Sequence, residues 1–105
     1  MNLLLMNLLL ETQKALEENG KTSDDVEFVT DGVCSCPWEV FAAQASTIDY
    51  DKGYGGAEIN QSLQIVGKDW WLERHEYDGS EWWEYKTLPV RPEAGVVQIE
   101  TKSLW

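Results

Sequence analysis

Cysteine is almost missing from this chain of 105 residues: two occur, Cys34 and Cys36, too few and too close together to frame a disulfide-built secreted domain. A reducing cytoplasm is the compartment this usage implies. Positive charge is also scarce, with 8 Lys and Arg against 19 Asp and Glu, a net charge of -11 and a pI near 4.3. Nucleic acid is therefore not expected as a direct ligand, because its phosphates are repelled and no Lys/Arg cluster is present to release counterions. Long apolar runs are lacking too. The stretch from Met1 to Leu10 is far shorter than the ~20 residues that a membrane-spanning helix needs. It also has no basic leader or small-residue cleavage site and passes straight into Glu11, which argues against a signal peptide. No low-complexity segment or second domain is visible.

What is present suffices for one folded domain over residues 1–105. The chain is 43% hydrophobic and carries six Trp, so it can build a core despite its charge. A domain of this length buries roughly 65% of the surface its unfolded chain exposes. Met-Asn-Leu-Leu-Leu occurs at residues 1–5 and again at 6–10, which makes Met6 a second possible start and residues 1–5 an extension expected to fray. From about Asn2 to Asn19, Leu5, Leu8, Leu9, Thr12 and Leu16 recur at helical spacing, and Asn19-Gly20 supplies a stop. Leu3, Leu4 and Leu10 are surplus to a small core and are expected at the surface. Val26–Val29 reads as a short strand closed by Asp31-Gly32, and residues 62–66 as another. A second helix is expected to open with Pro37 at its first position and Ser35 or Cys36 capping, burying Trp38, Phe41, Ala42 and Ala45. Residues 48–56, rich in Tyr and Gly, read as an irregular loop, and Val96–Glu100 as a late edge strand.

The strongest local pattern is a Trp-rich hairpin over residues 69–88, with Asp78-Gly79 between two β-forming runs. A two-residue type I′ turn sets Tyr77 opposite Ser80, Arg74 opposite Trp83 and Leu72 opposite Tyr85. One face then carries Trp70, Leu72, Arg74, Trp83 and Tyr85, and the other Trp71, His75, Tyr77 and Trp82. A three-residue loop exchanges the second strand's faces. The fold class expected is α+β: an antiparallel sheet built around this hairpin, with the N-terminal helix and the short second helix packed on one face. The opposite face then exposes Trp unless loops or a partner cover it.

The constellations that could carry catalysis or cofactor chemistry fall short. Cys34-Ser35-Cys36 is half a zinc site with only His75 as a further donor, and two ordinary thiols are the simpler reading. His75 lies among Glu73, Glu76 and Glu81 but has no nucleophile at fixed spacing, so a surface histidine is the simpler reading there. Asp49-x-Asp51-x-Gly53 begins like a calcium loop and fails at Tyr54 and Asn60, while Gly53, Gly55 and Gly56 lack the Lys-Ser/Thr of a phosphate loop. Arg74 opposite Trp83 points to a structural cation–π pair. No enzyme, cofactor or metal is expected. The remaining feature is acid interleaved with aromatics on the hairpin: Glu73, Glu76, Asp78, Glu81 and Glu84 to supply charge, and Trp71, Tyr77 and Trp82 as anchors, suited to a protein with a basic groove.

The block from Val66 to Lys86, with Trp70-Trp71-Leu72-Glu73-Arg74-His75-Glu76-Tyr77-Asp78-Gly79-Ser80-Glu81-Trp82-Trp83-Glu84 at its centre, resembles the signature of small acidic phage and prophage proteins of Gram-positive bacteria. Glu18-Asn19-Gly20-Lys21-Thr22 and Tyr50-Asp51-x-Gly53-Tyr54-Gly55 are similar as well, so the likeness covers most of residues 6–88; it departs at Cys34-Ser35-Cys36 and after Pro92. What the resemblance implies is a phage accessory protein in the bacterial host's cytoplasm, of the kind that inhibits host defence nucleases, anti-CRISPR proteins included. It transfers no active-site residue. The expected partner is a host protein with a basic nucleic-acid-binding groove, with Cas9 the named case. The alternative is a structural or regulatory phage protein that forms homo-oligomers through Leu3, Leu4, Leu10 and the uncovered sheet face.

Overall fold

The Asp-Gly pair decides the centre of the fold. In the computed structural model, which describes residues 5–51 and 58–101, Asp78 and Gly79 take φ values of 53° and 85°, the two positive values that a type I′ turn requires. The turn joins strand β6 (Trp70–Tyr77) to strand β7 (Ser80–Thr87). Their register sets Tyr77 opposite Ser80, Arg74 opposite Trp83 and Leu72 opposite Tyr85, which is the two-residue alternative of the sequence reading. β6 pairs on its other side with β5 (Gln64–Val66), β5 with β2 (Phe28–Thr30), and β2 with the two-residue β3 (Ser35–Cys36). All these pairings are antiparallel, giving a five-stranded sheet in the order β3-β2-β5-β6-β7.

Helix α1 runs from Leu8 to Glu18, later than the Asn2 start expected. Asn7 is the reason: its side chain accepts from Leu10 N–H as an N-cap, and its Nδ2 donates to Ser46 O (3.0 Å) and Asp49 Oδ1 (2.9 Å). Residues Leu5–Asn7 instead form β1, paired antiparallel with β4 (Asp49–Asp51), so Leu5 is ordered and the start of the loop expected at 48–56 is strand. The helix ends as Asn19-Gly20 foretells. Lys21 N–H donates to Leu16 O and Gly20 N–H to Glu17 O, a Schellman closure with Gly20 at φ 70°. Helix α2 spans Trp38–Ala45, opening one residue later than expected, with Pro37 in the cap position and without a side-chain cap bond. Leu3, Leu4 and residues 52–57, including Gly53, Tyr54, Gly55 and Gly56, lie outside the described residues.

The core forms between the two helices and one face of the large sheet. Leu8 and Leu16 of α1 and Phe41 and Ala45 of α2 join Val29, Ile65, Trp70, Leu72 and Trp83 of the sheet, with Tyr50 and Ile59. The indole of Trp70 lies over Gly67, where an added Cβ would fall 2.1 Å from Trp70 Cε2, so only glycine fits there. Trp70 also stacks on Tyr85 at 5.9 Å, the diagonal cross-strand neighbour on the same face. Val96–Glu100 is not an edge strand: it is exposed and, among the described residues, unpaired. A strand-forming sequence becomes a strand only when an edge accepts its backbone. Among the described residues, no helix is long and apolar enough to cross a membrane.

Candidate protein-docking face

The hairpin's inner face carries a charged cluster amid apolar side chains. Arg74, wholly buried, donates from Nη2 to Glu81 Oε1 (2.8 Å) and to the Tyr50 hydroxyl (2.9 Å), and from Nη1 to Glu11 Oε1 (3.3 Å). Its guanidinium lies over the Trp83 ring at 4.7 Å, the cation–π pair that the register implies. Tyr50 donates in turn to Glu11. Glu81, also wholly buried, accepts from the backbone N–H groups of Glu58 and Ile59. Trp83 Nε1 donates to Thr12 Oγ1 (2.9 Å), whose hydroxyl donates to Leu8 O (2.7 Å). One arginine thus ties α1, β4, β6 and β7 together. Burial works against its charge, but its hydrogen bonds to Tyr50 and Glu81 and the charge of Glu11 outweigh that and raise its pKa. Burial, helped by the bond to Glu11, holds the Tyr50 phenol well above its ordinary pKa.

The outer face is built by the alternate residues of the same two strands. Glu73 and Glu84 are directly opposed across the ladder, as are His75 and Trp82, and Trp71 and Lys86. Each carboxylate receives an indole N–H from its own strand: Trp71 Nε1 donates to Glu73 Oε1 (2.6 Å) and Trp82 Nε1 to Glu84 Oε2 (3.0 Å). His75 Nε2 sits 2.6 Å from Glu73 Oε2 and 3.5 Å from Glu84 Oε1, and Lys86 Nζ 3.3 Å from Glu84 Oε1. The Trp71 indole and then His75 depress the pKa of Glu73; the Trp82 indole and then Lys86 depress that of Glu84. Two negative groups facing each other are therefore held ionised by neighbours that also fix both indoles. Val66 opposite Trp71, and Phe28 opposite Val66, continue this face across the sheet as an apolar strip, half-buried at Trp71 and Val66 and exposed at Phe28. Both helices pack on the inner side.

The structure sorts the expected docking residues into three groups. Trp71, Glu73, Trp82 and Glu84 come together on the outer face. Glu76, Tyr77 and Asp78 are exposed at the hairpin tip, with Tyr77 76% exposed and Glu76 accepting from Gly79 N–H (3.0 Å). Glu81 belongs to neither group. It lies in the buried cluster, where it counters Arg74, and is withdrawn from the docking set for that reason. The sequence reading also missed Lys86 and the link from His75 to Glu84. The opposed Glu73 and Glu84 were the available signal, since two like charges across a ladder call for a cation or donor between them.

Among the described residues, no group of three or more His, Cys, Asp or Glu is placed to hold a metal ion. Cys34 and Cys36 are free thiols beside a turn that Asp31 organises by accepting from Val33 and Cys34 N–H. Comparisons of the chain with family models, curated proteins and solved structures find no match.

Proposed function

We propose that the chain is a non-enzymatic phage accessory protein that binds and inhibits a host defence nuclease of the Cas9 kind, docking the outer face and tip of its hairpin into the nuclease's basic groove. The observation that carries this reading is the pair of indoles, Trp71 and Trp82, clamped by ionised Glu73 and Glu84 and half-buried on the outer face of the hairpin. Aromatic rings fixed before contact lose little freedom on binding and serve as anchors. Carboxylates beside them meet Arg and Lys that otherwise hold phosphates, and the net charge of -11 steers the approach. The tip extends the same surface with Glu76, Tyr77 and Asp78.

The test is cleavage of a target duplex by guide-loaded Cas9 with increasing amounts of this protein. Inhibition is expected, weakening as salt rises from about 0.1 M to about 0.5 M because exposed charges are then screened. Reversing the outer charges with Glu73→Lys and Glu84→Lys is expected to abolish inhibition in a protein that still unfolds cooperatively. Undiminished inhibition by that variant sinks the electrostatic part of the proposal, and no inhibition by the native chain sinks the choice of nuclease.

A further inference from the structure

The C-terminal segment has the sequence pattern of a strand and, among the described residues, pairs with none. Leu88 N–H donates to Asp69 O (2.9 Å), and among the described residues no hydrogen bond follows it. Beyond it Val90, Val96, Val97 and Ile99 are 89%, 86%, 79% and 87% exposed. Alternation gives the segment two unlike faces, Val97 and Ile99 on one and Val96, Gln98 and Glu100 on the other, the pattern of an edge strand with one side covered.

The matching edge is on the same molecule. β7 is the last strand of the sheet, eight residues long, and among the described residues no strand pairs with its outer side. Beside it runs a groove of about 340 Å³ whose helix wall sets Leu10 and Ala15 among Glu11, Lys14 and Glu18, with Trp82 and Trp83 on the other side. Charge does not oppose the match: Arg91 and Lys102 offset Glu93 and Glu100, so the segment from residue 88 onward is neutral while residues 1–87 carry the whole charge of -11. It is the part of the chain least repelled by a second copy. Pairing within one chain requires residues 88–95 to reverse direction, whereas Pro89 and Pro92 fix φ and bias the residues before them to extended backbone.

We propose that Val96–Glu100 becomes a strand on association, adding to the free edge of β7 in a second copy with Val97 and Ile99 turned into the groove beside α1. Two copies that exchange segments reciprocally fill both edges and close as a two-fold dimer. Sedimentation equilibrium over about 1 to 200 µM, with hydrogen exchange at both ends of that range, tests it. A monomer–dimer equilibrium is expected, with the amides of residues 96–100 slowing as dimer forms. In the full chain, Val97→Pro with Ile99→Pro removes two donors from an exposed segment that makes no hydrogen bond among the described residues. It should raise the dimer dissociation constant at least about 10-fold and leave monomer melting unchanged. The proposal is overturned by a monomer throughout, by protection already complete in the monomer, or by a dimer as tight in the double-proline variant.

Discussion

Glu76 and Glu81 face each other across the hairpin, and replacing each by glutamine should have very unequal consequences. Glu81 is wholly buried and accepts from Arg74 Nη2 at 2.8 Å, from Ile59 N–H at 3.2 Å and from Glu58 N–H. Glutamine fills the same volume but turns one acceptor into an NH₂ group aimed at a donor, and it leaves Arg74 short of a counter-charge. Charged hydrogen bonds contribute about 1.5–3 kcal/mol each, and breaking a buried pair from one side costs about 3–5 kcal/mol, so Glu81→Gln should destabilise the chain by about 3 kcal/mol. Total stabilities of about 5–15 kcal/mol make that a large fraction, equivalent to a fall in Tm of roughly 12–20 °C. Glu76→Gln changes an exposed side chain and should stay within about 0.5 kcal/mol of native. Urea unfolding followed by tryptophan fluorescence measures both. A loss below about 1 kcal/mol for Glu81→Gln, or equal losses for the two variants, refutes the buried cluster.

Two further outcomes follow from the geometry. Gly67→Ala puts a methyl group into the Trp70 indole and should cost about 1–3 kcal/mol or more, read as a lower urea midpoint with altered near-UV dichroism of Trp70. The depressed pKa values of Glu73 and Glu84 mean that their stabilisation is complete above the ordinary value of 4.5 and is lost as pH falls through the lower folded values. The urea midpoint should therefore drop between about pH 5 and pH 3, and by less in a Glu73→Gln, Glu84→Gln variant.

The hairpin was legible in the sequence because its signals are local: Asp78-Gly79 fixes the turn, the turn fixes the register, and the register separates Trp70, Leu72, Arg74 and Trp83 from Trp71, His75 and Trp82. Both helices were legible from apolar spacing, while their starts depended on distant contacts such as Asn7 with Ser46 and Asp49. The buried cluster was hidden for the same reason, since Arg74 reaches Glu11 from 63 positions away and Tyr50 from 24. Glu81 was misplaced although the register put it beside Arg74's partners; alternation was applied to the aromatics and not to the acids. Val96–Glu100 shows the limit of β-propensity, which makes a strand possible and supplies no edge to receive it.

The central claim is that the outer face of the hairpin occupies the groove that otherwise holds nucleic acid. Equilibrium competition on guide-loaded Cas9, with a labelled target duplex and increasing amounts of this protein, measures that occupancy directly. Mutually exclusive binding is predicted, with Trp71→Ala and Trp82→Ala together weakening the protein's side of the competition by about 30-fold or more. A ternary complex in which duplex and protein are bound together, or a double variant that competes as well as the native chain, contradicts the account.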